Sequence, residues 1–180
     1  RGEVIRTRID WLPALGLNAN FMLDGLGLLF AGLILGIGLL IILYARFYLA
    51  AADPMGRFFS YLMLFQGAML GIVLSDNILL LLVFWELTSL VSFLLIGHNP
   101  ERRANRRAAM TALLVTTFGG LAMLIGLVGL HQLTGTARIS EILASAPEPS
   151  TALTASVSLI LVGAISKSAL RLYASASSDP

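Results

Sequence analysis

Cysteine is absent from this 180-residue sequence, and charge is scarce, at 12% of residues, about half the share of an ordinary soluble domain. The lack of thiols excludes a disulfide-stapled domain, an iron–sulfur protein and a thiolate metal site. Two histidines, His98 and His131, are too far apart to suggest a metal or haem pair, and no metal or cofactor is expected. There is no Walker loop and no glycine-rich phosphate cradle. The one dense basic block lacks aromatics, which argues against a nucleic-acid surface. Lysine is almost missing too: of 12 basic residues only Lys167 is not arginine. What remains is 57% apolar, too apolar for a solvated coil and too thinly charged for a soluble surface. Such a composition suits a chain whose outer surface is lipid.

The apolar residues come in membrane-length runs. Leu26 to Leu43 and Phe58 to Ser75 carry no charge, Asn77 to Gly97 carries only Glu86, and Ala108 to Leu130 carries none. A shorter run, Thr151 to Ser166, reaches Tyr173 if Lys167 and Arg171 are admitted. A helix crosses the hydrocarbon core in about 20 residues, whereas barrel strands alternate over about 10. The expected fold is therefore all-α, a polytopic transmembrane helix bundle. Its spans are placed at residues 26–49, 58–75, 77–97, 108–130 and 151–173, after an extracytoplasmic segment 1–25 and before a tail 174–180. The polar, proline-bearing stretch from Thr136 to Pro149 predicts a short surface helix.

Arginines set the orientation. Arg1, Arg6, Arg8 and Arg138 flank one side of the spans; Arg46, Arg57, Arg102, Arg103, Arg106, Arg107 and Arg171 flank the other. The block from Glu101 to Arg107 is thus expected in the cytoplasm, anchoring the chain to lipid phosphates, with the Trp11–Asp24 stretch outside. Gly32 with Gly36, and Gly67 with Gly71, each share a helix face where another backbone can approach. Gly119–Gly120 is read as packing or a local bend. Asp76 is assigned to cap the third helix and Asp24 to complement the start of the first. His98 and His131 end spans at the interface, as structural residues or as points of proton entry.

Two charges fall where charge costs most. Glu86 lies nine residues after Asn77 and eleven before Gly97, close to the bilayer midplane. Placing a carboxylate there costs about 2.5–3.5 kcal/mol, so the side chain should face a bundle interior or a water-filled path. Ser89 follows at i+3 with Thr88 and Ser92 beside it, a candidate hydroxyl relay for a proton. The competing account is a protonated carboxyl that glues helices together. Lys167 differs from the arginines in that a desolvated lysine can release its proton. It either pairs with Glu86 or snorkels to the headgroups.

The stretches Ser75-Asp76-Asn77-Ile78-Leu79, Phe84-Trp85-Glu86-Leu87-Thr88-Ser89 and Phe93-Leu94-Leu95-Ile96-Gly97 resemble a known family. So do Leu23-Asp24-Gly25-Leu26-Gly27-Leu28-Leu29-Phe30, Leu43-Tyr44-Ala45-Arg46-Phe47-Tyr48-Leu49 and Gly119-Gly120-Leu121-Ala122-Met123-Leu124. The family is that of the antiporter-like membrane subunits shared by Mrp-type sodium/proton antiporters and respiratory complex I. The likeness is greatest to the large, A-type subunits of Mrp antiporters, since complex I chain 5 subunits tend to carry a different motif where this chain has Thr116-Thr117-Phe118-Gly119-Gly120. The resemblance covers about residues 10 to 169. It implies a proton path through Glu86 and Lys167, exchange for Na+ or another monovalent cation, and other membrane subunits as partners. It implies a bacterial inner-membrane location and a transporter rather than an enzyme; a proton-pumping quinone-oxidoreductase subunit is the alternative. The five spans would be the third to seventh of a longer subunit. From Leu170 onward the sequence departs from the family, and the chain is expected to be a fragment, with its native start also missing.

Overall fold

In the computed structural model the described residues are 4–12, 17–48, 55–97, 103–145 and 147–176. The chain begins with a two-stranded antiparallel hairpin, β1 (Ile5–Leu12) and β2 (Leu17–Leu23), pairing Ile5 with Leu23 and Ile9 with Ala19 before the register shifts. Six helices follow: α1 (Gly25–Tyr48), α2 (Met55–Leu74), α3 (Ile78–Ile96), α4 (Arg103–Thr134), α5 (Ile139–Ser145) and α6 (Thr151–Ala176). Helix packs on helix in a row, α1 on α2, α2 on α3, α3 on α4 and α4 on α6. Four of them, α1 to α4, contain stretches long and apolar enough to cross a membrane. The apolar part of α6, Thr151–Lys167, is shorter. Of those four, α1 is the barest, with Leu28, Leu29 and Leu40 each more than 60% exposed.

Helices α1, α2, α3, α4 and α6 overlie the five stretches expected as spans, and α5 falls within the stretch from Thr136 to Pro149. The hairpin is an addition, formed because Ile5, Thr7, Ile9 and Trp11 alternate with Arg6, Arg8 and Asp10 at the strand period of two. α4 starts within the arginine block, whose backbone at Arg103, Arg106 and Arg107 is helical; Ala and Arg are strong helix formers. His98 and Arg102 lie outside the described residues, as does the end of the chain from residue 177.

The caps divide the work differently from the expectation. Asp24 does cap α1, accepting from Gly27 N at 2.7 Å. Asn77, not Asp76, caps α3: its Oδ1 accepts from Leu79 N at 2.9 Å and Leu80 N at 3.2 Å. The Asp76 carboxylate instead turns to the start of α5, accepting from Ser140 N and Ser140 Oγ, both at 2.8 Å. Backbone bonds reinforce this clasp, with Ile78 N donating to Ala137 O at 2.9 Å and Ile139 N to Asp76 O at 3.3 Å. The hairpin joins it through Asp76 N, which donates to Asn20 O at 2.8 Å. Phe21 reaches down to Phe84, ring centroids 6.4 Å apart.

The glycine contacts also move. A Cβ on Gly32, Gly36 or Gly67 would meet no atom within 4 Å, so the close approach expected there is not made among the described residues. Instead Gly38 receives the Gln66 amide, which donates to Ile34 O at 3.3 Å. Gly71 does seat a neighbour, the Phe84 ring. The tightest seam is between α4 and α6, where Gly119, Gly126 and Gly129 meet Ser166, Ile160 and Ser156. Gly163 answers from α6, lying against Gly119 O and Met123.

Candidate functional site

Halfway along α3, Glu86 points at α4. Its carboxylate lies so close to Gly120 that a Cβ there would overlap Oε1. Oε1 is buried and accepts no hydrogen bond from any described residue, a situation that costs about 1–3 kcal/mol for an ordinary polar group. The Gly119–Gly120 pair gives two neighbours room at once. Gly120 admits Glu86 from one side, and Gly119 admits Ser166 from the other.

Lys167 comes from α6 and crosses to α3. Its Nζ donates to Trp85 O at 3.0 Å and to Thr88 Oγ1, and it stands 4.5 Å from the centroid of the Trp85 ring. The last is cation–π geometry. Snorkelling to the headgroups is thus not what this lysine does; it reaches inward across the bundle. Glu86 and Lys167 act on each other electrostatically, yet among the described residues they form no ion pair within 4.0 Å.

The three hydroxyls of the expected relay lie along α3, each donating to the helix backbone. Thr88 Oγ1 donates to Trp85 O at 2.7 Å, Ser89 Oγ to the same carbonyl at 3.3 Å, and Ser92 Oγ to Thr88 O at 2.6 Å. Thr88 and Ser89 are buried. Of the three, Thr88 alone bonds to one of the two charges. Trp85, Gly120 and Gly119 complete the site. Trp85 contributes chiefly a backbone carbonyl, which leaves no trace in sequence.

The surroundings are lopsided along the helix axes. Toward the α3 N-terminus lies a dry cluster of Ile78, Met123, Leu127 and Ile142, with Leu81, Leu82 and Leu130 against it. Toward the C-terminus come Thr88, Ser89 and Ser92, and across on α4 the buried Thr116, whose hydroxyl donates to Ala112 O at 2.9 Å.

Beyond the dry cluster, at the helix ends, is a second polar group. Arg138 lies 3.6 Å from Asp76 and 2.8 Å from Glu141. A cavity of about 110 Å³ opens there between the hairpin and the α2–α3 turn, lined in part by Arg6, Arg8, Asn20 and Asp76. His131, in the last turn of α4, has a buried Nδ1 without a hydrogen bond.

Known proteins resemble the chain along most of its length. Residues 75–174 match the family model described as NADH:quinone oxidoreductase/Mrp antiporter, TM. Residues 11–59 match that of the NADH-ubiquinone oxidoreductase (complex I), chain 5 N-terminus. A probable K(+)/H(+) antiporter A/B subunit of Rhizobium meliloti (strain 1021) is 48% identical over 177 residues, covering 93% of this chain and 17% of the relative. The A1 subunit of a Na(+)/H(+) antiporter of Staphylococcus aureus (strain JH9) is 45% identical over 170 residues, covering 93% of this chain and 21% of the relative. The solved Mrp complex from Dietzia sp. DQ12-45-1b superposes with a TM-score of 0.83 at 33% identity, over 91% of this chain and 18% of its counterpart. An archaeal membrane-bound sulfane sulfur reductase shares the fold, with a TM-score of 0.70 at 21% identity over 80% of this chain and 29% of that one. The chain therefore spans about a fifth of the length of these curated relatives.

Proposed function

Because the chain belongs to the NADH:quinone oxidoreductase/Mrp antiporter membrane family and is a multi-pass membrane protein, we propose that it forms part of a cation/proton antiporter subunit in which Glu86 and Lys167 handle the proton. The observation that carries this reading is the pair itself. An acid with an unpartnered buried oxygen and an amine on neutral acceptors stand within electrostatic reach in the middle of a membrane bundle. Both groups can gain or lose a proton, and each changes the other's preference when it does. The two relatives name different cations, K(+) and Na(+), so the exchanged ion is a monovalent cation of either kind. Their names also favour an antiporter over the quinone-oxidoreductase branch. The partners are the other membrane subunits of a hetero-oligomeric complex.

The lopsided surroundings support a direction. Counted along α3, the hydroxyls of Thr88, Ser89 and Ser92 lie on the side of Glu86 that adjoins the arginine block, while the opposite side is packed with leucine, isoleucine and methionine. By the positive-inside rule the arginine block is cytoplasmic, so Glu86 trades protons with the cytoplasm. The membrane potential supplies about 2.3 kcal/mol per charge per 100 mV.

The test is proton flux driven by a cation gradient in everted vesicles carrying the intact complex. Glu86→Gln and Lys167→Ala are each expected to abolish the flux while the complex still assembles. Wild-type flux in both would overturn the reading.

A further inference from the structure

The lysine of the pair is not on the glutamate. Its ammonium rests on Trp85 and Thr88, at one end of a stripe of α3 that continues through Ser89 and Ser92, positions i, i+3, i+4 and i+7 on one helix face. Glu86 lies about 200° around the helix from Thr88 at 100° per residue and faces Gly120 instead. We infer that Thr88 is a positioning residue for the proton step, its hydroxyl and the Trp85 carbonyl forming a neutral seat that holds the Lys167 ammonium away from Glu86 and competes with the carboxylate for it. This rests on the reading above that Glu86 and Lys167 handle the proton.

The polarity of the seat suits this role. An ammonium offers three donors and no acceptor. Thr88 spends its only proton on Trp85 O at 2.7 Å, so toward Lys167 its oxygen is purely an acceptor. Thr88 is fully buried, at 0% exposure, and water does not compete for that oxygen. The Trp85 ring at 4.5 Å adds a third attraction for positive charge. Two of the three ammonium donors are thereby used; the third has no hydrogen-bond partner among the described residues. While the ammonium is seated, its hydrogen bonds go to neutral acceptors and not to the carboxylate. Among the described residues α3 contributes only Glu86, α4 has no titratable group between Ala109 and Leu130, α6 has only Lys167 between Thr151 and Lys167, and α2, packed on α3, carries Arg57 and Tyr61.

The experiment compares pH profiles of cation-driven proton flux in the intact complex for wild type, Thr88→Val, Thr88→Ala and Thr88→Ser. Loss of the hydroxyl is expected to send the ammonium to Glu86 and make proton loading harder. The alkaline limb of the profile then moves to lower pH by about one unit in both Val and Ala variants, and Thr88→Ser restores the wild-type position. A profile that keeps its position in Val and Ala, even with lower amplitude, overturns the seat, as does a Ser variant that shifts as far as Val. Glu86→Gln in the same series separates the two ideas: if it abolishes flux while the Thr88 profiles coincide, the seat fails and the pair stands. If Glu86→Gln retains full flux, the pair itself has failed.

Discussion

Gly120→Ala isolates the placement of the Glu86 carboxylate. The new methyl would overlap Glu86 Oε1, with Cδ only 2.8 Å away and Oε2 3.2 Å away, against about 3.5 Å for an ordinary contact. The obstructed atoms are the far end of a flexible side chain, so the carboxylate yields before the helices do. Overpacking of this kind costs about 1–3 kcal/mol, and the gain from replacing a helical glycine by alanine returns up to about 1 kcal/mol. Assembly should therefore fall only slightly. Displacing a reacting group by about 1 Å, by contrast, costs up to about 100-fold in rate. The expected result is a complex present at near-normal abundance whose cation-driven proton flux falls about 10- to 100-fold. Shortening the acid should relieve the conflict, so Gly120→Ala combined with Glu86→Asp should lose less than the two single changes predict, with a coupling of about 1 kcal/mol or more. Immunoblots of the membrane fraction report assembly, and a fluorescent ΔpH dye in everted vesicles reports flux. Full flux in Gly120→Ala at normal abundance would refute the claim that this glycine holds the carboxylate in place.

Three further outcomes are expected elsewhere in the chain. Asp76→Ala removes both bonds to Ser140 and leaves Arg138 with Glu141 alone, a loss of about 2–4 kcal/mol; amide exchange across residues 139–145 should quicken at least tenfold, and unchanged protection there would contradict the bonds assigned to Asp76. Gly163→Val drives a branched side chain into Gly119 O and Met123. It should lower the melting temperature of the purified complex or prevent assembly, at about 3 kcal/mol or less of overpacking; a melting temperature equal to wild type would show that the α4–α6 seam is loose. Arg8 and Asp10 form an ion pair of 2.8 Å, both side chains more than 60% exposed, and Asp10→Ala should change stability by less than about 1 kcal/mol, as read by the same thermal assay.

The membrane helices were legible because an uncharged run of 18 or more residues has few other uses. Their ends were less so: α4 extends back into Arg103, where charge suggests a loop but backbone propensity continues the helix. The hairpin carried a strand signal, the alternation from Ile5 to Trp11, yet it is short and half charged beside the long apolar runs. Glu86 and Lys167 stood out by their rarity within such runs. The seat between them did not, because a main-chain carbonyl such as that of Trp85 looks the same at every position. Asp76 and Asn77 are both good capping residues, and only the fold reveals that Asp76 serves α5 instead, bonding to Ser140, 64 residues away along the chain.

The Asp76–Ser140 clasp also closes the chain on itself. It fastens the beginning of α3 to the segment that follows α4, while the residues 97–102 join the other ends of the same two helices, between Ile96 and Arg103. Glu86 sits nine residues from Asn77, about 13 Å along the axis, between the two ties. Like a rung between two fixed rails, the carboxylate is held in a pair of helices that are tethered at both ends.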